Sequence, residues 1–244
     1  MSEVRSVVTR DDMFSRRIRE QWTGQSGRRL DVLIAGCGWP EPLELELDQM
    51  EARVIGIDED LPALRASTSA RKDLDSWALG DLRSVPVPPR SFDIVHVSFL
   101  LERIEHPELV LDRLLTGLRP GGLLLLQMRD RASAYGACDR LLPAALRRTL
   151  WHRFAPSGTV GPLPPFYGQI TSREGMHSFC LTRGLMVTDD TSATSGPALR
   201  GPLGKLARAA CSAMETFSRG RWPASHDEII MVIRKPHSHF ARLI

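Results

Sequence analysis

Two glycines one residue apart, Gly36-Cys37-Gly38, follow a short apolar run, Leu30–Ala35. Such a turn lets the backbone approach a ligand closely, and a helix starting after it offers its N-terminus to a negative group. A plain strand-to-helix turn would look the same. Asp58 stands 20 residues after Gly38, ending a second apolar run, Arg53–Ile57. A carboxylate at this spacing can accept both hydroxyls of a ribose. The competing reading is a helix cap, a role that Asp60 before Leu61-Pro62 fits better. Gly80-Asp81-Leu82 adds a third carboxylate and a backbone N–H. They could read an adenine edge, or simply turn the chain at the surface.

Proton transfer would call on His106, His152 or His177, with Tyr135 and Tyr167 as orienting groups. His106 is the best placed, because it follows the apolar run Phe92–Val97; His106-Pro107 could equally just begin a helix. The acids are scattered without metal-binding spacing, and His237 and His239 form an isolated H-x-H in the tail, where metal binding is not expected. Cys37, Cys138, Cys180 and Cys211 form no C-x-x-C pair. Neither a zinc site nor a disulfide framework is suggested, and a reducing cytoplasm is the simplest compartment.

These residues need a scaffold, and the pattern supplies one. Leu30–Ala35, Arg53–Ile57, Trp77–Leu79, Phe92–Val97 and Leu123–Met128 read as strands. Helices are expected at Glu44–Met50, Leu61–Arg71 and Pro107–Leu118, the last with Leu111, Leu114, Leu115 and Leu118 on one face. Strand alternating with helix argues for a parallel sheet covered on both faces. Ligands of such sheets bind at the carboxyl ends of the strands, where the three turns above fall. An amphipathic helix over Asp11–Trp22 is expected to pack on that cleft as a lid. Arg129–Gln169 breaks the rhythm with prolines, glycines and one basic amphipathic stretch, Leu141–Phe154. A helix at Thr171–Arg183, a strand at Leu185–Asp189, a helix at Leu203–Phe217 and a strand at Glu228–Ile233 complete the chain. Leu203, Leu206, Ala207, Ala210, Met214 and Phe217 are expected on one side of that last helix.

With 244 residues, 42% hydrophobic and 25% charged, the composition is that of one soluble domain with room for an enzyme core. Apolar runs of a few residues exclude a transmembrane helix, which needs about 20. The first thirty residues mix charge with apolar side chains, so no secretory signal is read there. A net charge of +3 is too small to select an anionic partner, and no aromatic strand platform or long basic run suggests nucleic acid. The Arg129–Gln169 stretch holds both tyrosines, Trp151, Phe154, Phe166 and Leu163-Pro164-Pro165. An apolar lid of this kind suits a small apolar or amphipathic substrate. Its basic stretch could instead make transient contact with a membrane surface.

In order along the chain, these motifs resemble those of class I S-adenosylmethionine-dependent methyltransferases. Val32-Leu33-Ile34-Ala35-Gly36-Cys37-Gly38 is similar to the first motif, Val54-Ile55-Gly56-Ile57-Asp58 to the second and Gly80-Asp81 to the third. Ser91-Phe92-Asp93-Ile94-Val95 resembles the fourth, and Leu118-Arg119-Pro120-Gly121-Gly122-Leu123 the turn after it. Leu101-Glu102-Arg103-Ile104-Glu105-His106-Pro107 is similar to the linker of the quinone-biosynthesis-type, type 11 small-molecule subfamily. The resemblance implies a Rossmann-like sheet of seven strands, mostly parallel with the last antiparallel, and helices on both faces. It implies a single domain over 1–244, with an N-terminal helical segment (1–29), a substrate lid insertion (129–170) and a helical insertion (192–225). The implied cofactor is S-adenosylmethionine, bound by Gly36, Cys37, Gly38, Asp58, Glu59, Asp81, Leu82 and Ser98. On such a scaffold His106 is the expected catalytic residue, Tyr135 and Tyr167 are the expected acceptor-orienting groups, and no metal is demanded. The implied reaction is O- or C-methylation of a secondary metabolite, lipid or quinone-like acceptor in the cytoplasm.

Three departures stand against that pattern. Ile34 replaces a usual acid, Pro40 a usual third glycine, and Arg103 a frequent histidine. Ile34 and Pro40 keep open a second reading, a non-catalytic relative that serves as a binding or scaffold protein. A dinucleotide dehydrogenase fits less well, because Gly36-Cys37-Gly38-Trp39-Pro40-Glu41 lacks the third glycine of a pyrophosphate loop.

Overall fold

Among the described residues, seven strands form one sheet: β1 (Leu30–Ala35), β2 (Ala52–Asp58), β3 (Ser76–Leu79), β4 (Phe92–Ser98), β5 (Leu118–Arg129), β6 (Met186–Ala193) and β7 (Glu228–Arg234). They lie in the order β3-β2-β1-β4-β5-β7-β6. The first five are mutually parallel, and β7 runs antiparallel to β5 and β6. The helices are α1 (Arg10–Gly24), α2 (Pro62–Ser69), α3 (Pro107–Gly117), α4 (Ala134–Leu141), α5 (Ala144–Phe154), α6 (Arg173–Thr182) and α7 (Pro202–Phe217). This computed structural model describes residues 10–25, 27–38, 50–154, 161, 163–194 and 202–237. Expected helix positions 44–49, and Trp39 and Pro40, lie outside them.

The central strands β1, β4, β5 and β7 are buried at nearly every position because both faces are covered. Leu33, Val95, Leu124 and Met231 pack with Leu111 and Leu114 of α3 and with Met176 and Phe179 of α6. Their neighbours Val32, Ile94, Leu125 and Val232 pack on the other face with Met13, Phe14 and Ile18 of α1. Burying each of these larger side chains contributes roughly 1.5–3 kcal/mol. Helix α1 is therefore part of the core on a sheet face rather than a lid, the role expected of it.

Four further details differ from expectation. Strand β5 begins at Leu118, because Gly121 takes a positive φ of 80° and the chain continues as strand. Gly121 N–H donates to Lys235 O at 2.8 Å, and Lys235 N–H to Gly122 O at 3.0 Å. The Leu141–Phe154 stretch is broken between α4 and α5 at Pro143, which has no N–H to give a helix. Strand β6 runs to Ala193, pairing with β7 as far as Glu228. Helix α7 packs against α4 and buries Cys211 beside Cys138, which turns Leu206 and Phe217 outward at 65% and 88% exposure. Among the described residues no helix is long and apolar enough to cross a membrane.

Candidate active site

From β1 the chain crosses to β2 on one side, while β4 lies on the other, so the crossovers diverge at the carboxyl ends of β1 and β4. The Gly36 turn sits there. Gly36 has φ 90°, its N–H donates to Ile57 O at 2.9 Å, and a Cβ on it would lie 2.4 Å from Ser98 O. Only glycine lets β1 turn this tightly against the end of β4. Gly38 N–H donates to Asp58 Oδ2 at 2.7 Å, so the first turn and the second carboxylate are one unit. Asp58 is fully buried. Its Oδ1 accepts from Glu59 N–H at 2.8 Å and from Arg103 Nη2 at 2.6 Å. Glu59 Oε2 is buried without a hydrogen-bond partner among the described residues and lies 3.8 Å from Arg103 Nη1. Burial raises the Glu59 carboxyl above the usual range.

The other expected cofactor residues lie around this unit. Gly80 N–H donates to Asp58 O at 3.0 Å, bringing the Asp81 turn beside β2. Asp81 is exposed, and its Oδ1 accepts from the N–H and Nε of Arg83, both at 2.9 Å, which lowers its pKa. Leu82 is buried in the core, and Ser98 is buried at the end of β4. Cys37 is buried with its Sγ 3.8 Å from Thr68 Oγ1. Burial and the Asp58 charge push its thiol up to about 11, so it is an inert packing group. Ile34 lies in the apolar layer with α1, which explains how the position dispenses with an acid. The set fits a nucleoside: carboxylates offer acceptors to hydroxyls, Glu59 Oε2 lacks a donor, and the same negative charges would repel a pyrophosphate.

A second cluster lies at the ends of β4 and β5. A 3-10 turn, Leu101–Arg103, follows β4 and buries Glu102. Desolvation raises the Glu102 carboxyl to about 7. Its Oε1 is 3.4 Å from Arg129 N–H, and its Oε2 has no hydrogen-bond partner among the described residues. Its backbone carbonyl accepts from Phe166 and Tyr167 N–H at 2.8 and 3.0 Å, which ties the lid to β4. The Arg129 guanidinium pairs with Asp227 and Glu228 and lies 5.0 Å from the ring centre of Tyr135 and 5.1 Å from that of Phe99. Tyr167 is buried and donates its hydroxyl to Asp139 Oδ2 at 3.1 Å. Burial and that carboxylate hold the phenol well above its usual range. Phe99 and Tyr167 have φ of 45° and 47°, conformations that cost a non-glycine residue energy and cluster at functional sites.

Tyr135 and Tyr167 both lie near Arg129. His106 lies apart from them: it caps the start of α3 with φ 57°, its side chain is 60% exposed, and Nδ1 lies 3.6 Å from Glu108. His177 is also exposed, 2.8 Å from Asp190. The His152 side chain and His239 lie outside what is described. Reading residue types missed Glu102, Arg129 and Asp139. The signal lay in the Leu101–Pro107 stretch, where Glu102 and Arg103 adjoin in a segment otherwise heading into the core.

A methyltransferase domain family matches residues 33–126. The chain is 31% identical over 98 residues to a trans-aconitate 2-methyltransferase of Azoarcus sp. (strain BH72), which covers 40% of this chain and 38% of that one. It is 34% identical over 118 residues to the methyltransferase str3 of Strobilurus tenacellus, covering 48% and 40%. The chain thus spans about two fifths of the length of these relatives. The structure is similar to an S-adenosylmethionine-dependent methyltransferase from Mesorhizobium loti, with TM-score 0.54, 16% identity and coverage of 93% and 98%. It is also similar to the [4+2]-cyclase SpnF, with TM-score 0.53, 16% identity and coverage of 92% and 82%. These two likenesses speak for the fold. The motifs, the strand order and the family match agree: residues 33–126 form a class I S-adenosylmethionine-dependent methyltransferase domain of the type 11 kind, and its cofactor is S-adenosylmethionine.

Proposed function

We propose that this chain transfers a methyl group to oxygen, or to carbon, of a small apolar or amphipathic acceptor. One observation carries the reading: two adjacent buried residues join the two clusters. Arg103 reaches the Asp58 carboxylate, and Glu102 faces Arg129 and the lid. When bound, S-adenosylmethionine supplies an electrophilic methyl on a sulfonium, with a neutral thioether as leaving group. Asp58 and Glu59 would hold the ribose hydroxyls, Asp81 the adenine edge, and the glycine turn would allow close backbone approach. Glu102 would take the proton of an acceptor hydroxyl at its Oε2. A carboxyl held near 7 by burial is a stronger base than an ordinary one and is still substantially ionised at neutral pH. For this role the buried Glu102 suits better than the exposed His106. Tyr135 and Tyr167 would orient the acceptor, and positioning of this kind supplies several kcal/mol.

Exposed Leu141, Leu146 and Phe166 along the lid support an apolar acceptor. Arg147 turns inward, donating to Asp139 O and Leu142 O at 3.0 and 2.9 Å, which supports a lid helix over a membrane-resting one. Four free thiols suit residence in a reducing cytoplasm. The second reading, a non-catalytic binding protein, is favoured by Ile34 in the core and by Arg103 on Asp58. One fold hosts many activities.

Thermal-shift titration with S-adenosylmethionine, S-adenosylhomocysteine, NADH and NADPH, followed by assay of S-adenosylhomocysteine release with phenolic and carboxylic acceptors, tests the proposal. A ligand that binds only the folded chain stabilises it by mass action, about 2.7 kcal/mol at a hundred times its Kd. Stabilisation by the two adenosyl ligands and acceptor-dependent release are expected. Stabilisation by a dinucleotide alone would overturn the reading, and stabilisation without release across acceptors would favour the binding protein.

A further inference from the structure

Arg103 lies on the turn after β4, and its partner Asp58 ends β2. Between those strands the sheet places β1. The Arg103 side chain therefore spans the carboxyl end of β1, at the turn that holds Gly36 and Gly38. It is 2% exposed. Of its donors, Nη2 is bonded to Asp58, while Nε and Nη1 have no hydrogen-bond partner among the described residues. A buried guanidinium with five N–H groups and so few partners is under-satisfied, which a purely structural arginine avoids. Replacing such a buried pair by apolar side chains is often neutral for stability. The arrangement is one that stability alone does not call for, in the crevice where the fold binds its cofactor.

We propose that Arg103 determines which adenosyl ligands the cleft prefers, by competing with the ribose for Asp58 and by adding a buried positive charge beside the sulfur position. The proposal rests on Asp58 being the ribose carboxylate. A carboxylate has about four acceptor positions. Gly38 N–H, Glu59 N–H and Arg103 Nη2 take three of those on Asp58. Two ribose hydroxyls need two, so one donor must yield. The two N–H groups belong to backbone that forms the cleft; the arginine hydrogen bond is the one that can be given up without moving backbone. Released from Asp58, the guanidinium stays within reach of Glu59, 3.8 Å away; because one carbon joins the sulfur to the ribose ring, a cation beside the ribose carboxylate would lie near that sulfur. Repulsion in a water-poor cleft then weakens the sulfonium donor, while the neutral thioether product escapes that repulsion. The cleft is thereby biased toward S-adenosylhomocysteine.

Calorimetric titration of both ligands into the full chain tests this, using Arg103→Gln, Arg103→Met, Arg103→Lys and Asp58→Asn. Met fills the volume without charge and covers the case in which Gln does not fold. The neutral variants should bind both ligands more tightly, with a gain for S-adenosylmethionine at least fivefold larger than for S-adenosylhomocysteine. Arg103→Lys, which keeps the charge, should keep the wild-type ratio of the two affinities. Equal changes for both ligands, or weaker binding by folded neutral variants, would overturn the proposal. Asp58→Asn should weaken both ligands. Unchanged binding there would remove the ribose assignment itself, a failure separate from a wrong role for Arg103.

Discussion

Asp58 and Arg103 form one buried pair, yet they are not equally replaceable. Asp58 has two backbone N–H donors besides the arginine. Arg103 has Asp58 as its hydrogen-bonded anion and Glu59 at 3.8 Å. Removing the aspartate leaves a buried cation poorly compensated, a loss of about 3–5 kcal/mol. Removing the arginine leaves a carboxylate that still accepts two hydrogen bonds. Asp58→Ala is thus expected to destabilise the fold by about 3–5 kcal/mol and Arg103→Gln by about 2 kcal/mol or less. Urea unfolding at neutral pH checks the order, and equal losses would mean the backbone donors contribute little.

Helices α1 and α7 both look amphipathic in sequence, but only α1 uses its apolar stripe. Met13, Phe14 and Ile18 are buried against the sheet. Ile18→Ala should therefore cost about 2–5 kcal/mol through lost burial and a residual cavity. Leu206 is 65% exposed, so Leu206→Ala should stay within about 0.5 kcal/mol. Thermal unfolding of both variants distinguishes them. A small effect at Ile18 would return α1 to the role of a detachable lid.

At the scale of the molecule, carboxyls raised by desolvation gather at one end of the sheet: Glu59, Glu102 and Asp139. Glu102 reaches about 7, against about 4.3 for an unperturbed glutamate. Between those values the folded state holds a proton that the unfolded chain has released. Stability then falls as pH rises through this window, and the loss is complete above the folded value. Glu102→Gln cannot titrate. Relative to wild type it should gain on the order of 3 kcal/mol above pH 7 and nothing near pH 4. Chemical denaturation across pH 4–8 measures this, and parallel profiles would refute it. If Glu102 is the base, the same variant also loses methyl transfer, the trade between stability and function expected of an active site.

The sequence by itself determined the order of the chemistry along the chain: the glycine turn and Asp58 end apolar runs that fit a covered parallel sheet, and Asp81 follows a short strand that lies at the sheet edge and is largely exposed. Those are local signals, carried by periodicity and by residues with special backbone or charge, so they survive without a fold. Strand ends such as Leu118 and Ala193 did not, because pairing with a neighbour extends a strand past what its own residues dictate. Which side of α7 is buried depended on α4, and no local pattern contains that choice. The pairing of Arg103 with Asp58, 45 residues apart, and the meeting of Glu102 with Arg129 and Tyr167, were decided only by the tertiary structure. Charge and burial act through space, and the crossovers that bring β2, β1, β4 and β5 side by side set those distances.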